Sequence, residues 1–143
     1  MLGPQIAEGR GKRTGRRVIA TEPQLKIEAS VEETTTLIGI QGTNLITYTA
    51  TNKPDGSLEG EGEGVFATPD GQIVTWKGTG VGRFAEGGAV NYCGTISYTT
   101  SSQKFIRLNG VAGVFQFELD AQGNTRSATY EMVPASATQR AKA

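Results

Sequence analysis

Histidine is absent from this 143-residue chain, and cysteine occurs once, as Cys93. Without imidazole the commonest metal ligand and the commonest acid–base group are missing, which removes zinc centres and Ser-His-Asp chemistry. A lone thiol excludes an internal disulfide and suits a reducing compartment. No run approaches the ~20 apolar residues of a membrane-spanning helix. Residues Met1 to Arg10 lack the apolar core of a signal peptide, so the expectation is a cytoplasmic protein with no membrane partner. An excess of either charge is lacking too: 14 Lys and Arg balance 14 Asp and Glu, which gives no long-range pull toward nucleic acid. Helical periodicity is equally scarce. No metal, no cofactor and no nucleic-acid partner are expected.

What the chain has instead is glycine, 20 residues of it, concentrated between Lys53 and Phe84. Two Pro-Asp-Gly turns, at Pro54 and Pro69, bracket a strand with glycine at every second position. Pro at the second and Gly at the fourth position of a type I turn, with that Gly at φ > 0, give a bulged three-residue hairpin loop. Such a loop at Pro69 to Gly71 pairs Val65 with Thr75, Gly64 with Trp76, Glu63 with Lys77 and Gly62 with Gly78. A register one residue away would mix Trp76 and Val74 with carboxylates, which burial costs disfavour. In the favoured register Glu59, Glu61, Glu63, Lys77 and the neighbouring threonines share a solvated face. Ile46, Tyr48, Leu58, Phe66, Val74 and Trp76 share the other with Gly60, Gly62, Gly64, Gly78, Gly80 and Gly82. The alternating glutamates thus read as surface, not as an acid–base pair. The Gly-x-Gly runs precede no helix and so do not read as phosphate loops. Glycines opposite rings, Gly62 to Tyr48 and Gly64 to Trp76, read as devices for curving the sheet.

Along the rest of the chain, Gly9 to Arg17 is locally basic and reads as a solvated approach to a short strand at Val18 to Ala20, which Pro23 interrupts. The alternation Leu25, Ile27, Ala29, Val31 marks a half-buried strand from Gln24 to Val31. Thr34 to Ile40 is β-branched without a clear face, and Gln41 to Asn44 reads as a turn into a strand from Leu45 to Lys53. Placing Phe84 opposite Val90 across the loop Ala85 to Ala89 pairs Gly82 with Tyr92, Gly78 with Ile96 and Trp76 with Tyr98, and turns Cys93 outward. Ser101 to Gly110 breaks the period-two rhythm. Phe105 and Leu108 share a face at i, i+3, so the segment reads as a helical turn near residues 101–108 that crosses or plugs one end of the sheet. A strand from Val111 to Leu119 follows. A four-residue loop at Asp120 to Gly123 then sets Gly113 against Tyr130 and Phe117 against Arg126, turning Arg126 and Tyr130 inward. Residues 1–133 form one domain on this reading, and 134–143 form a frayed tail.

The fold class expected is all-β: a single antiparallel up-and-down barrel of about eight strands. The motifs Gly60-Glu61-Gly62-Glu63-Gly64-Val65, Thr75-Trp76-Lys77-Gly78-Thr79-Gly80-Val81-Gly82 and Arg107-Leu108-Asn109-Gly110-Val111 resemble those of a family of small uncharacterised prokaryotic β-barrel proteins. The fold of that family is similar to the allene oxide cyclase and lipocalin-like barrels. The resemblance implies a barrel with room for a ligand and with scope for a homo-oligomer, and carries over no catalytic residue. The leading functional expectation is binding of a small, mostly apolar ligand among Tyr48, Trp76, Tyr92, Tyr98, Phe115, Arg126 and Tyr130, with Arg126 either reading a ligand carboxylate or reaching along the rim to solvent. A cyclase or isomerase of an unsaturated lipid-like substrate and a packed barrel with a structural or interaction role are the alternatives. The expected inner face offers no carboxylate or imidazole, so the reading leans away from an enzyme.

Overall fold

Alternation of apolar and glycine positions with Thr, Glu and Lys recurs from strand to strand, and the computed structural model, which describes residues 1–135, closes the strands into a ring. Among the described residues the strands are β1 (Leu2–Ala20), β2 (Lys26–Leu37), β3 (Ile40–Asn52), β4 (Leu58–Ala67), β5 (Ile73–Phe84), β6 (Val90–Thr99), β7 (Ala112–Leu119) and β8 (Asn124–Met132). Each pairs antiparallel with its sequence neighbour, and β8 returns to β1, giving a closed eight-stranded up-and-down barrel. The central register is as expected, with Gly64 opposite Trp76, Glu63 opposite Lys77 and Gly62 opposite Gly78. The β5–β6 pairs Gly82 to Tyr92, Gly78 to Ile96 and Trp76 to Tyr98 also form. Both Pro-Asp-Gly loops have the bulged geometry: Thr68 N–H donates to Gln72 O, Gly71 N–H donates to Thr68 O, and Gly71 has φ 88°. Outside the expected tail's first residues, Pro134 and Ala135, the tail lies beyond the described residues.

Three features differ from expectation. The basic stretch Gly9 to Arg17 is itself strand, because β1 runs 19 residues and pairs with β2 from Ala7 to Ala20. Thr34 to Ile40 does have a face: Val31, Glu33, Thr35 and Leu37 are all buried, and the reversal comes at Ile38-Gly39, both at positive φ, with Gln41 to Asn44 inside β3. The β7–β8 register is one residue away from the expected one, pairing Gly113 with Glu131 and Phe117 with Ser127. Its loop repeats the bulged type of the other two, with Asp120 N–H bonded to Asn124 O and Gly123 at φ 88°. That slip turns Arg126 and Tyr130 to the outside.

One end of the barrel is stoppered. The 3-10 segment Gln103–Gly110 sends Phe105 and Leu108, both 0% exposed, into a cluster with Ile6, Leu37, Phe66, Val74, Tyr98 and Val111. Phe105 meets Phe66 edge to face at 5.6 Å. Lys104 pairs with Asp70 at 2.8 Å and Arg107 with Glu131 at 3.2 Å, tying the segment to the rim. Ser102 makes no cap; its hydroxyl bonds Gln72 instead. The second cluster, Val31, Ile46, Leu58, Val90, Tyr92, Phe117 and Leu119, fills the opposite half. Among the described residues no helix is long and apolar enough to cross a membrane.

Candidate functional site in the barrel interior

Because β2 keeps its period-two phase past Val31, the next inward position is a carboxylate. Glu33 is 1% exposed, and its oxygens accept hydrogen bonds from Thr125 Oγ1 at 2.8 Å and Ser127 Oγ at 2.7 Å. Glycine on β1 makes the room. A Cβ on Gly9 would fall 2.6 Å from Glu33 Oε1, 2.8 Å from Thr35 Oγ1 and 2.9 Å from Ser127 Oγ. Thr35 Oγ1 is buried and has no hydrogen-bond partner among the described residues. Burial drives the Glu33 carboxyl above its ordinary pKa, and the Ser127 and Thr125 hydroxyls offset only part of that rise. Among the described residues Glu33 joins no ion pair, and no group of three or more His, Cys, Asp or Glu is placed to hold a metal.

The facing wall is aromatic. Tyr48, Tyr92 and Phe117 form a triangle with centroids 5.7, 5.7 and 6.1 Å apart. Trp76 Nε1 donates to Asn44 Oδ1 at 2.8 Å, which fixes the indole, and Phe115 lies over bare backbone, its Cζ 3.2 Å from where a Cβ on Gly80 would sit. Between the rings and the Glu33, Ser127 and Thr129 wall is a cavity of about 90 Å³. Burial raises the hydroxyl pKa of Tyr48, an effect that the positive charges of Arg13 and Arg16 reduce. Burial, with Tyr48 nearby, raises that of Tyr92, and burial pushes that of Tyr98 up to about 12 despite a hydrogen bond with Thr129. All three phenols are therefore neutral donors at physiological pH.

Of the residues expected at the site, Tyr48, Trp76, Tyr92 and Phe115 line this cavity. Tyr98 points inward but belongs to the stoppered cluster. Arg126 is exposed on the outer face and Tyr130 is half-buried there, so neither reaches the interior, and the inward-facing arginine beside Phe117 is replaced by Ser127. The inner carboxylate, absent from the sequence reading, is Glu33. Its signal was the alternation Val31, Glu33, Thr35, Leu37. Ser127 and Thr129 follow from the β7–β8 register once the loop at Gly123 is treated like those at Gly56 and Gly71.

Fold and cavity together define the class: a closed eight-stranded antiparallel barrel with a small interior void walled by rings on one side and by a carboxylate with hydroxyls on the other. A crystal structure of a protein of unknown function from Clostridium acetobutylicum shares this fold with a TM-score of 0.78 at 12% identity, over 91% of this chain and 98% of that one. A conserved protein of unknown function from Rhodopseudomonas palustris does so with a TM-score of 0.76 at 12% identity, over 92% and 99%. These are bacterial eight-stranded barrels similar in fold. No family model matches this chain, and no curated protein matches it.

Proposed function

We propose that this barrel is a binding module for a small molecule, held in its interior against Tyr48, Trp76, Tyr92 and Phe115. The observation that supports this is the void itself, about 90 Å³ left open between two packed clusters and bordered by rings and a hydrogen-bonding wall. Its volume is well under the ~300 Å³ of ordinary ligand pockets, so the ligand has only a few non-hydrogen atoms. At a ceiling of about 1.5 kcal/mol per atom, five atoms give a Kd no better than the low micromolar range.

Trp76 is the one tryptophan of the chain and lines the cavity, so its fluorescence reports occupancy. Saturable changes are expected from some members of a set of four- to six-atom probes, and these disappear in Ile96→Phe, which fills the void. A folded protein whose Trp76 emission responds to none of them would leave the packed, structural barrel as the better reading. The cyclase or isomerase alternative gains an acid–base group in Glu33, yet the void is far too small for a long unsaturated chain. Small-molecule binding therefore ranks first.

A further inference from the structure

We infer that the ligand of this cavity is a cation, a small primary alkylamine in its ammonium form, with its charged head on Glu33 and its stem among the rings. The inference rests on the binding reading above and adds the charge of the ligand to it. Glu33 is a buried carboxylate with no cationic partner among the described residues, and buried charges in folded proteins are paired or neutralised. Its two hydrogen bonds, from Thr125 and Ser127, use about half of the acceptor sites of a carboxylate, leaving capacity for further N–H donors. Glu33 and Ser127 both line the cavity, and Thr129 beside them adds a further hydroxyl to this wall.

The opposite wall selects the same charge. Trp76, Tyr48, Tyr92 and Phe115 present ring systems whose faces attract an ammonium group. An anion would meet the Glu33 carboxylate and the negative ring faces at once. A neutral molecule of equal size satisfies the rings and leaves Glu33 without a counter-charge. The void of about 90 Å³ limits the alkyl stem to a few carbons.

The test is titration of the full chain at one neutral pH with n-propylammonium, n-propanol and propionate, which match in size and differ in charge, followed by Trp76 fluorescence and by amide NMR shifts. Propylammonium is expected to bind at least tenfold more tightly than propanol, and propionate not at all. Glu33→Gln keeps the shape; its amide oxygen accepts from one of the two hydroxyls, and its amide N–H donates to the other once that hydroxyl has turned. It is expected to weaken propylammonium by at least ten times more than it changes propanol. Equal binding of the amine and the alcohol to the parent protein overturns the charge while the binding reading stands. Propionate binding more tightly than the amine overturns it in the other direction. A folded parent that binds none of the three overturns both. The comparison of probes on the parent decides the matter even if Glu33→Gln fails to fold, and circular dichroism establishes whether it has.

Discussion

Gly82→Ala tests whether glycines facing rings are a requirement of this barrel or a habit of its composition. Replacing glycine within a strand ordinarily gains about 0.5–1 kcal/mol from the lost freedom of the unfolded chain. Here the new methyl would lie 2.5 Å from Tyr92 Cε1 and 2.8 Å from its Cδ1, so the ring must move. Tyr92 is buried and held by Tyr48 at 5.7 Å and Phe117 at 6.1 Å, and a push on it is passed to both neighbours. Overpacking of this kind costs about 1–3 kcal/mol, which exceeds the entropic gain. The net expectation is a loss of about 1–2 kcal/mol. For 143 residues at ~2 cal/mol/K each, that lowers Tm by about 3–7 °C. Urea unfolding followed by Trp76 fluorescence, with calorimetry beside it, measures both quantities. The control is Gly15→Ala, where a Cβ meets nothing within 4 Å among the described residues, and which is expected to be neutral or slightly stabilising. In Tyr92→Leu the ring is gone, so the Gly82→Ala penalty is expected to shrink by about 1 kcal/mol. A Gly82→Ala protein as stable as its parent would refute the close-approach reasoning.

Phe105→Ala empties the stopper of a side chain that is 0% exposed and is expected to cost about 3–5 kcal/mol, read as a shift in the urea midpoint; a cost under ~1 kcal/mol would mean the stopper is not part of the cooperative core. Glu33 titrates near 4.5 when unfolded and higher when folded, so between those values the folded chain binds the extra proton. Stability from this group is therefore lost as pH rises through that interval and stays lost above it. Glu33→Gln is accordingly expected to gain Tm relative to the parent from acid to neutral pH, and a constant or narrowing gap would contradict this. With Tyr98 pushed up to about 12, an alkaline absorbance titration should leave at least one of the four tyrosines un-ionised at pH 11 while the protein stays folded; complete reversible ionisation by then would argue against its burial.

The β4–β5 hairpin was legible because two independent signals agreed there: Pro69-Asp70-Gly71 specified the loop, and Trp76 and Val74 would otherwise have shared a face with Glu61 and Glu63. At β7–β8 the loop residues Ala121 and Gln122 carry no such signature, and the larger residues of β8, Tyr130 and Met132, lie on its outer face while Thr125, Ser127 and Thr129 face in. Nothing in the side chains therefore penalised the slip that misplaced Arg126 and Tyr130. The turn at Ile38-Gly39 was hidden for a related reason, since a turn with positive φ at both positions favours Asn or Gly first and this one has Ile38 at φ 40°. The candidate site was half visible. Its rings announce themselves as large apolar residues on one phase, whereas Glu33, Thr35, Ser127 and Thr129 occupy inward positions in defiance of the apolar rule and looked like surface.

The pairing of β1 with β8 runs from Leu2 opposite Met132 to Lys12 opposite Asn124, and Met1 and Val133 exchange hydrogen bonds at 2.7 and 2.9 Å beyond it. Every other ladder joins strands that follow one another and can form as the chain emerges, but this seam needs both ends. At roughly 10 residues per second of synthesis, β1 waits on the order of ten seconds for its second partner, with one edge open throughout. Open edges recruit other open edges. Arg10 and Lys12 within that seam, and Arg13 at its end, set like charge against like when two unfinished chains meet there, which disfavours their pairing before the barrel closes.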